Sequence, residues 1–389
     1  MRARSKLGME PKRGPLTREE FEQSAAWIAS QQLPSGEIPW QRGSKSDPWD
    51  MVHAAMGLAV AGRHAESTAA YRFLARTQND DGSWPGEWRG EAVSNATRET
   101  NHAAYVATGV WHQFCAKPDA DLLAELWPMV SKAMDFVVRH QLPCGGIAWA
   151  LDPHGKPWRS PLITGTSSIH GSLVCAVRIA ERLGIDRPAW REAREGIVRL
   201  LRYDRGRFEK DDLPEPQGRH SMDWYYPVLG GALRGREGRL HLLDAVQNAA
   251  FIEDGVGCRC VKDRPWYTVA ESCELALAFD SVGLSGRARQ VVLWMREQRL
   301  ENGSYWTGTT HPDRIRWPEA EQTTWTAATV LLAHDALAGV TMTRTFFRDL
   351  AGDDLGTVKA PAPAEEAVAE DEPLRVPSRV DDADPAFDV

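Results

Sequence analysis

The sequence lacks any unbroken run of about 18 apolar residues, so it holds no candidate for a membrane-spanning helix. It also has few cysteines, six in 389 residues, and none of them stand at the Cys-x-x-Cys spacing of a metal site. The closest pair, Cys258 and Cys260, is separated by one residue. We therefore expect reduced, buried cysteines and no metal bound by them.

A secretion signal is missing as well. The first 16 residues carry five basic side chains but not the apolar segment of a signal peptide. We expect residues 1–16 to form a disordered basic N-terminus and the protein to be cytoplasmic.

An excess of positive charge is absent too. Residues 351–389 contain 11 acidic and 3 basic side chains, a net charge of −8 that equals the charge of the whole chain, so residues 1–350 are neutral. A neutral domain gives no electrostatic case for binding nucleic acid. The Ala-, Pro- and Glu-rich composition of residues 351–389 predicts a disordered acidic tail. We interpret it as a solubilising tail in preference to a docking segment for a protein partner.

What the sequence does contain is a repeat. An apolar helical run, a glutamine, a turn with glycine and then a tryptophan recur in residues 27–40, 73–84, 136–149 and 294–306. Gln32, Gln78, Gln141 and Gln298 are separated by 46, 63 and 157 residues, and the last interval leaves room for two weaker copies, at residues 197–208 and 251–257. Repeats at this period indicate an architecture built from stacked units.

Each unit reads as two helices, an outer charged one and an inner one rich in small apolar residues. The predicted inner helices are residues 49–61, 101–114, 168–183, 221–233, 270–282 and 323–337. Six helical hairpins predict an all-α fold, an α/α toroid that spans residues 17–350, with few strands.

The inner helices of such a ring run the same way, so their N-termini meet at one mouth. Acidic and polar residues there suit helix caps, but caps do not explain the aromatic residues beside them. We take the mouth as the candidate site. The candidate catalytic residues are Asp47, Asp50, Asp223 and Glu271. The candidate substrate-binding residues are His220, Trp224, Tyr225, Tyr226, Arg259, Lys262, Arg264, Trp266 and Glu319.

Aromatic faces beside carboxylates suit two kinds of ligand. They stabilise carbocations through the ring quadrupole, or they stack on sugar rings while two acids perform hydrolysis. Asp50, Asp223 and Glu271, one on each of three inner helices, would form such an acid set.

The turns resemble the Gln-x(2–5)-Gly-x-Trp repeat of the terpenoid cyclase and protein prenyltransferase superfamily, and residues 78–84 are the closest copy. The resemblance covers roughly residues 20–340, and the whole chain is similar to actinobacterial proteins described as prenyltransferase-like. It implies the toroid fold and isoprenoid chemistry. The squalene–hopene type Asp-x-Asp-Asp and the terpene synthase Asp-Asp-x-x-Asp are absent. The nearest acidic cluster is Asp47-Pro48-Trp49-Asp50, in which repulsion would raise one carboxyl pKa.

Protein prenyltransferase β-subunits offer a parallel order of residues. His220, Arg259, Lys262 and Arg264 would bind a diphosphate, and Glu271-Ser272-Cys273 stands where that family has zinc ligands. The late helical histidine, His334, lies 11 residues past Thr323, about 16 Å down the helix. Zinc is therefore not indicated, and magnesium would be implied only by a diphosphate substrate.

The main function predicted is prenyltransferase- or cyclase-like chemistry on an isoprenoid diphosphate or lipid in the central cavity. Asp47 or Asp50 would be the acid or a metal ligand, and Trp224, Tyr225, Tyr226 and Trp266 would shield a cation. Two alternatives stay open: a carbohydrate-active enzyme of the glycosidase or epimerase type, and a toroid that binds a lipid or a partner without catalysis.

Overall fold

A computed structural model describes most of the chain. The described residues are 14–208, 216–319 and 321–350. The predicted acidic tail, residues 351–389, lies outside the described residues, as do residues 1–13 of the predicted N-terminal segment.

The last residues of that N-terminal segment pack on the folded domain. Leu16 is buried, and its backbone N–H donates to His334 Nδ1 at 3.1 Å. The Pro15 carbonyl accepts a hydrogen bond from the Arg296 guanidinium. The chain therefore joins the domain slightly before the predicted boundary at residue 17.

The described residues are mostly helical. In chain order the helices are α1 (Arg18–Gln31), α2 (Pro48–Val60), α3 (His64–Thr77), α4 (Thr100–Ala116), α5 (Ala120–Arg139), α6 (Ile163–Arg182), α7 (Pro188–Tyr203), α8 (Ser221–Leu229), α9 (Gly235–Leu242), α10 (Ala245–Phe251), α11 (Val269–Ser281), α12 (Ser285–Trp294), α13 (Thr324–Ala338) and α14 (Phe346–Asp349). Within these bounds, no helix of the described chain is both long enough and apolar enough to cross a bilayer.

Helices α2, α4, α6, α8, α11 and α13 form an inner ring. Each packs against the next, and α13 packs against α2, which closes the ring. The outer layer consists of α1, α3, α5, α7 and α12, with the short α9 and α10 in the fifth unit. The predicted α/α toroid is confirmed.

Small residues let the inner helices approach closely, as predicted. A Cβ atom on Gly57 of α2 would lie 2.8 Å from Ala328 Cβ of α13. The predicted fourth inner helix, residues 221–233, is too long, because α8 ends at Leu229 and Gly231 adopts a left-handed φ of 80°. A Cβ on Gly230 would lie 2.1 Å from the Ser167 carbonyl oxygen, so this turn presses against α6.

Short strands lie in the loops that lead into the inner helices. They are β1 (Glu87–Arg89), β2 (Ala92–Asn95), β3 (Arg98–Glu99), β4 (Ala150–Leu151), β5 (Ile252–Glu253), β6 (Gly257–Arg259), β7 (Trp266–Thr268) and β8 (Gly308–Thr310). β1 pairs with β2 and β3 with β4, and β5 to β8 form an antiparallel sheet in chain order. Because β3 runs directly into α4 and β7 into α11, these strands position the first turns of two inner helices.

The repeated turns join successive outer helices. Gln78 Nε2 donates to the Gly82 carbonyl at 3.0 Å and to the Met129 carbonyl of α5 at 3.0 Å. Gln32 and Gln141 make the same pair of bonds in their own units. The turn glycine is required twice over: Gly82 has a φ of 96°, and a Cβ there would lie 2.2 Å from the Lys132 carbonyl oxygen. The repeat is therefore a device that holds the outer ring together.

Candidate active site

The first turn of α2 brings two acids to the mouth of the ring. Asp47 caps α2, since its Oδ1 accepts from the Asp50 N–H at 2.8 Å, and Pro48 fits the first helical position. Asp47 Oδ2 accepts from the Trp40 indole N–H at 2.7 Å. Both carboxylate oxygens of Asp47 therefore accept hydrogen bonds from within the protein.

Asp50 is different, because one of its oxygens is free. The residue is only 4 % exposed, and its buried Oδ2 has no hydrogen-bond partner among the described residues. Burial raises the pKa of Asp50 well above its usual range, and the nearby charges of Asp47, Glu274 and Glu321 raise it further, partly offset by Lys45. This carboxyl is suited to keep a proton that it can give away.

Glu271 is a second buried acid at the mouth. It lies in the first turn of α11 and is 5 % exposed. Burial raises its pKa, whereas the hydroxyl of Thr268 and the thiol of Cys260 favour the charged form and oppose the rise. Glu271 and Asp50 both have Glu274 as a charged neighbour.

Glu274 is the centre of a buried hydrogen-bond network. Its two oxygens accept from Tyr225 Oη at 2.6 Å and Tyr226 Oη at 2.9 Å. His53 Nε2 lies 3.3 Å from Glu274 Oε1 and 2.9 Å from Tyr105 Oη. Burial raises the pKa of Tyr225 and Tyr226 well above the usual value, and the Glu274 charge adds to it, so both hydroxyls stay protonated donors. The carboxylate is held in one place from three sides.

Aromatic rings surround this network at the ring axis. Trp49 stacks on Tyr105 with centroids 4.1 Å apart and lies 5.8 Å from Tyr226 of α8. His53 lies 4.7 Å from Tyr105 and 6.3 Å from Trp325 of α13. Because residues of five inner helices meet here, the axis below the mouth is filled by polar and aromatic side chains.

Asp223 and Trp224 lie outside this cluster. Asp223 accepts from the Thr164 N–H and Oγ1 at 3.1 and 2.8 Å and from the Gly218 N–H at 2.8 Å, which ties α8 to the start of α6. The Trp224 indole donates to the His241 carbonyl at 3.2 Å, on the side of α8 that faces α9. Asp223 is therefore bonded to the loop and the start of α6, and Trp224 packs between the inner and outer layers of helices.

The four predicted anion-binding residues lie on or beside one hairpin, because His220 forms an antiparallel bridge with Val261. His220 precedes α8 and is half-buried. Arg259 of β6 donates to Tyr267 Oη of the paired strand at 2.7 Å. Lys262 and Arg264 are exposed on the loop between β6 and β7. Arg259 is thus bonded to a tyrosine of the neighbouring strand, whereas Lys262 and Arg264 are exposed at the turn of the hairpin.

The last two predicted contacts lie on the segments that lead into α11 and α13. The Trp266 indole donates to the Trp317 carbonyl at 2.9 Å, and the two rings meet edge to face at 4.6 Å. Glu319 is exposed. Glu321, two residues later, is half-buried, has a pKa raised by burial, and is the one that influences Asp50.

Several residues of the cluster were missed from the sequence. Glu274 follows Glu271 by three residues and His53 follows Asp50 by three, so one helical turn separates each from a predicted acid. That spacing could have identified both. Glu321 had no such signal, because it lies in a loop. The predicted residues that the structure does bring together are Asp47, Asp50, Tyr225, Tyr226 and Glu271.

No family model matches the chain. It is 44% identical over 335 residues to the MMP endo-(1,4)-3-O-methyl-alpha-D-mannosidase of Mycolicibacterium hassiacum, which covers 86% of this chain and 90% of that one. A solved wild-type glycosidase is 16% identical with a TM-score of 0.63, over 83% of this chain and 97% of its own. A GH63 mannosylglycerate hydrolase from Thermus thermophilus is 14% identical with a TM-score of 0.61, over 80% and 99%. The two solved structures show the fold alone.

These similarities overturn the expected place in the terpenoid cyclase and prenyltransferase superfamily. The isoprenoid function, and with it the prenyltransferase or cyclase activity, was wrong. The physical reason lies in the turns that carried the resemblance. Their glutamine and glycine hold neighbouring outer helices together, so they report the architecture and not the chemistry at the mouth.

Proposed function

Because the chain belongs to the family of the Mycolicibacterium hassiacum endo-(1,4)-3-O-methyl-alpha-D-mannosidase, we propose that it is a glycoside hydrolase. Its substrate class would be a chain of 3-O-methyl-α-mannose units, and the bond cleaved would be an internal (1,4) linkage. The carbohydrate reading of the mouth, an alternative from the sequence, thus becomes the leading one.

The observation that supports this function best is the free oxygen of Asp50. Glycoside hydrolysis needs one carboxyl that protonates the leaving oxygen and a second that acts as base or nucleophile. Asp50 is buried, has an unpartnered Oδ2 and has a raised pKa, which suits the acid. Glu271, buried at the same mouth with two neighbours that favour its charged form, suits the second role.

Glu274 supports the acid through its charge. Its hydrogen bonds to two tyrosines hold it in place, and its negative charge beside Asp50 disfavours a second carboxylate there. In this proposal Glu274 does not touch the sugar. It keeps the proton on Asp50 until a glycosidic oxygen takes it.

The aromatic residues fit a methylated sugar. A 3-O-methyl group replaces a hydroxyl hydrogen by apolar surface, which favours an aromatic wall. The stacked pair of Trp49 and Tyr105 lies beside Asp50 on α2 and α4. A sugar bound against Trp49 would therefore have its glycosidic oxygen near the acid.

The test is hydrolysis of defined (1,4)-linked 3-O-methyl-α-mannose oligosaccharides, with products identified by mass spectrometry. We expect cleavage at internal bonds and slower cleavage of the unmethylated oligosaccharides. If the purified chain leaves every methylated oligosaccharide intact across pH 4 to 8, the proposed function is wrong.

A further inference from the structure

Three neighbouring inner helices carry, in their first turns, buried polar atoms with no hydrogen-bond partner among the described residues. Besides Asp50 Oδ2 on α2, these are Trp325 Nε1 on α13 and, on α4, Asn101 Oδ1 and His102 Nδ1. We name Trp325, Asn101 and His102 the polar arc. Resting on the proposed function, we infer that the polar arc is the subsite that hydrogen-bonds the free hydroxyls of the sugar unit beside Asp50.

The arc residues flank the acid on both sides. The Trp325 ring lies 6.3 Å from His53, which is on the same helix as Asp50. The His102 ring lies 6.2 Å from Trp49, the residue before Asp50. Asn101 lies on the far side of α4, where a Cβ on Gly165 of α6 would be 3.8 Å from its Cβ. The order around the ring is therefore Trp325, Asp50, His102 and Asn101.

In the acid-holding half of the mouth the acids and tyrosines are satisfied, and only the hydroxyls of Ser221 and Thr268 lack a partner among the described residues. On α8 and α11, Tyr225, Tyr226 and Glu274 satisfy one another, and Asp223 accepts from backbone and a hydroxyl. A buried polar atom without a partner costs free energy, and native proteins keep few of them. Three such atoms flank the free oxygen of one buried acid, and a bound ligand would supply the partners of all four.

The hydrogen-bonding capacity of the arc matches the substrate class. In a (1,4)-linked 3-O-methylmannose unit the linkages occupy O1 and O4 and the methyl group blocks O3, so only the 2- and 6-hydroxyls can donate. The His102 Nε2 lies 3.3 Å from Glu99 Oε2, so the hydrogen belongs on Nε2 and Nδ1 is left to accept. Asn101 Oδ1 is a second acceptor, and the Trp325 N–H is a donor to a hydroxyl oxygen. The two acceptors, His102 Nδ1 and Asn101 Oδ1, thus match in number the two hydroxyls of the sugar unit that can donate.

The test compares variants that each remove one polar group of the arc. Asn101→Leu and Trp325→Phe should lower kcat/KM for the methylated oligosaccharide about tenfold. Asn101→Leu should not lower Tm, because Asn101 Oδ1 has no hydrogen-bond partner among the described residues. Trp325→Phe also removes the five-membered ring, so it should lower Tm by the packing lost, and its kcat/KM is measured per folded molecule. The matched control is Thr108→Val, seven residues after Asn101 on the same face of α4, whose hydroxyl is bonded to Ser172 Oγ at 3.0 Å. It should lower Tm and leave kcat/KM unchanged.

Substrates that lack one hydroxyl identify direct contact. The wild-type protein should lose about tenfold in kcat/KM on the 2-deoxy or the 6-deoxy analogue. A variant that has lost the contact to that hydroxyl should lose nothing further on the same analogue. Equal losses in the variants and the wild type would overturn the polar arc while leaving the hydrolase intact. Failure of the wild-type protein both to cleave and, by calorimetry, to bind any mannoside would instead overturn the proposed function and the arc with it.

Discussion

The turns of the outer ring and the mouth of the inner ring treat polar groups in opposite ways. In the turns, the side-chain amide of one glutamine donates to two backbone carbonyl groups. Three units repeat this pattern, with Nε2 to oxygen distances of 2.9–3.0 Å. At the mouth, Asp50 and the polar arc keep buried atoms without a partner among the described residues. The polar groups of the turns are repeated and satisfied, and these atoms of the mouth are neither.

This difference distinguishes residues that stabilise the fold from residues that could carry out the reaction. A satisfied, repeated contact can only hold helices together, so it is shared by toroids of unrelated function. An unsatisfied buried acid has an unfavourable free energy that a ligand can remove. The mouth residues suited both a carbocation and a sugar. The isoprenoid prediction failed because the choice between the two was made from the turns of the first region.

The largest expected effect is on catalysis at the mouth. Asp50→Asn and Glu271→Gln should each lower kcat/KM by about a thousandfold, because each removes one of the two carboxyl groups that hydrolysis requires. Steady-state rates on the methylated oligosaccharide measure this. Glu319→Gln, which changes an exposed carboxylate in the same mouth region, serves as the control and should retain wild-type rates. Wild-type rates in either acid variant would remove that residue from the site.

The next largest effect is on stability at a turn. Gly82→Ala should lower the free energy of unfolding by about 3 kcal/mol or more, because the new Cβ would overlap the Lys132 carbonyl oxygen and the backbone is left-handed. Urea unfolding measures it. Gly184→Ala is the matched control, since its φ is 73° but no atom lies within 4 Å of the new Cβ. Equal losses in both variants would show that φ, and not the close approach, governs the turn.

Removing the repeat glutamine should have a smaller effect. Gln78→Ala leaves the Gly82 and Met129 carbonyl groups without this donor, which should lower the free energy of unfolding by about 1–3 kcal/mol. Activity per folded molecule should not change, because the turn is remote from the acids. Gln290→Ala, at an exposed glutamine of α12, should leave stability unaltered. A loss of activity without a loss of stability would contradict the division between the two regions.

The pH profile tests how Glu274 acts. Activity should fall as pH rises through the raised pKa of Asp50, because the acid loses its proton. Asp50 is faced by Asp47 from its own helix end, by Glu274 of α11, by Glu321 before α13 and by Lys45. Glu274→Gln removes one negative charge and should therefore move this alkaline limit to lower pH.

Two comparisons keep that test specific. Glu321→Gln should move the alkaline limit in the same direction by less, since Glu321 has the weaker influence on Asp50. Tm of the Glu274→Gln variant reports any loss of the tyrosine bonds. An unmoved pH profile with a lowered Tm would assign Glu274 a structural role only.

The smallest expected effect is a gain in stability at the mouth. The pKa of Asp50 is raised in the folded protein, so above its unfolded value of about 4 the native state binds more protons than the unfolded chain, and stability falls as pH rises. Asp50→Asn does not ionise, so its Tm should exceed that of the wild type by a margin that widens between pH 4 and 7. Asp152, whose pKa is lowered by backbone N–H groups, should show the opposite sign in Asp152→Asn.

Sequence patterns at the helix starts predicted part of the site. Asp47 before Pro48 predicts a helix start, and α2 begins there with Asp47 as its cap. Glu271 was found because it opens an inner helix. Trp224 was included for its neighbours in sequence, yet it faces the outer layer, because the residue after it, Tyr225, is rotated by about 100° toward Glu274.

The sequence by itself determined the toroid, since the glutamine, glycine and tryptophan of a turn lie within a few residues of one another and recur in four clear copies. Only the tertiary structure decided which polar atoms of the mouth find partners. That outcome depends on contacts between residues far apart in the chain, such as His53 with Glu274 and Tyr225 with Glu274. A buried acid becomes reactive through the charges and the missing partners around it, and these are set by the closing of the ring.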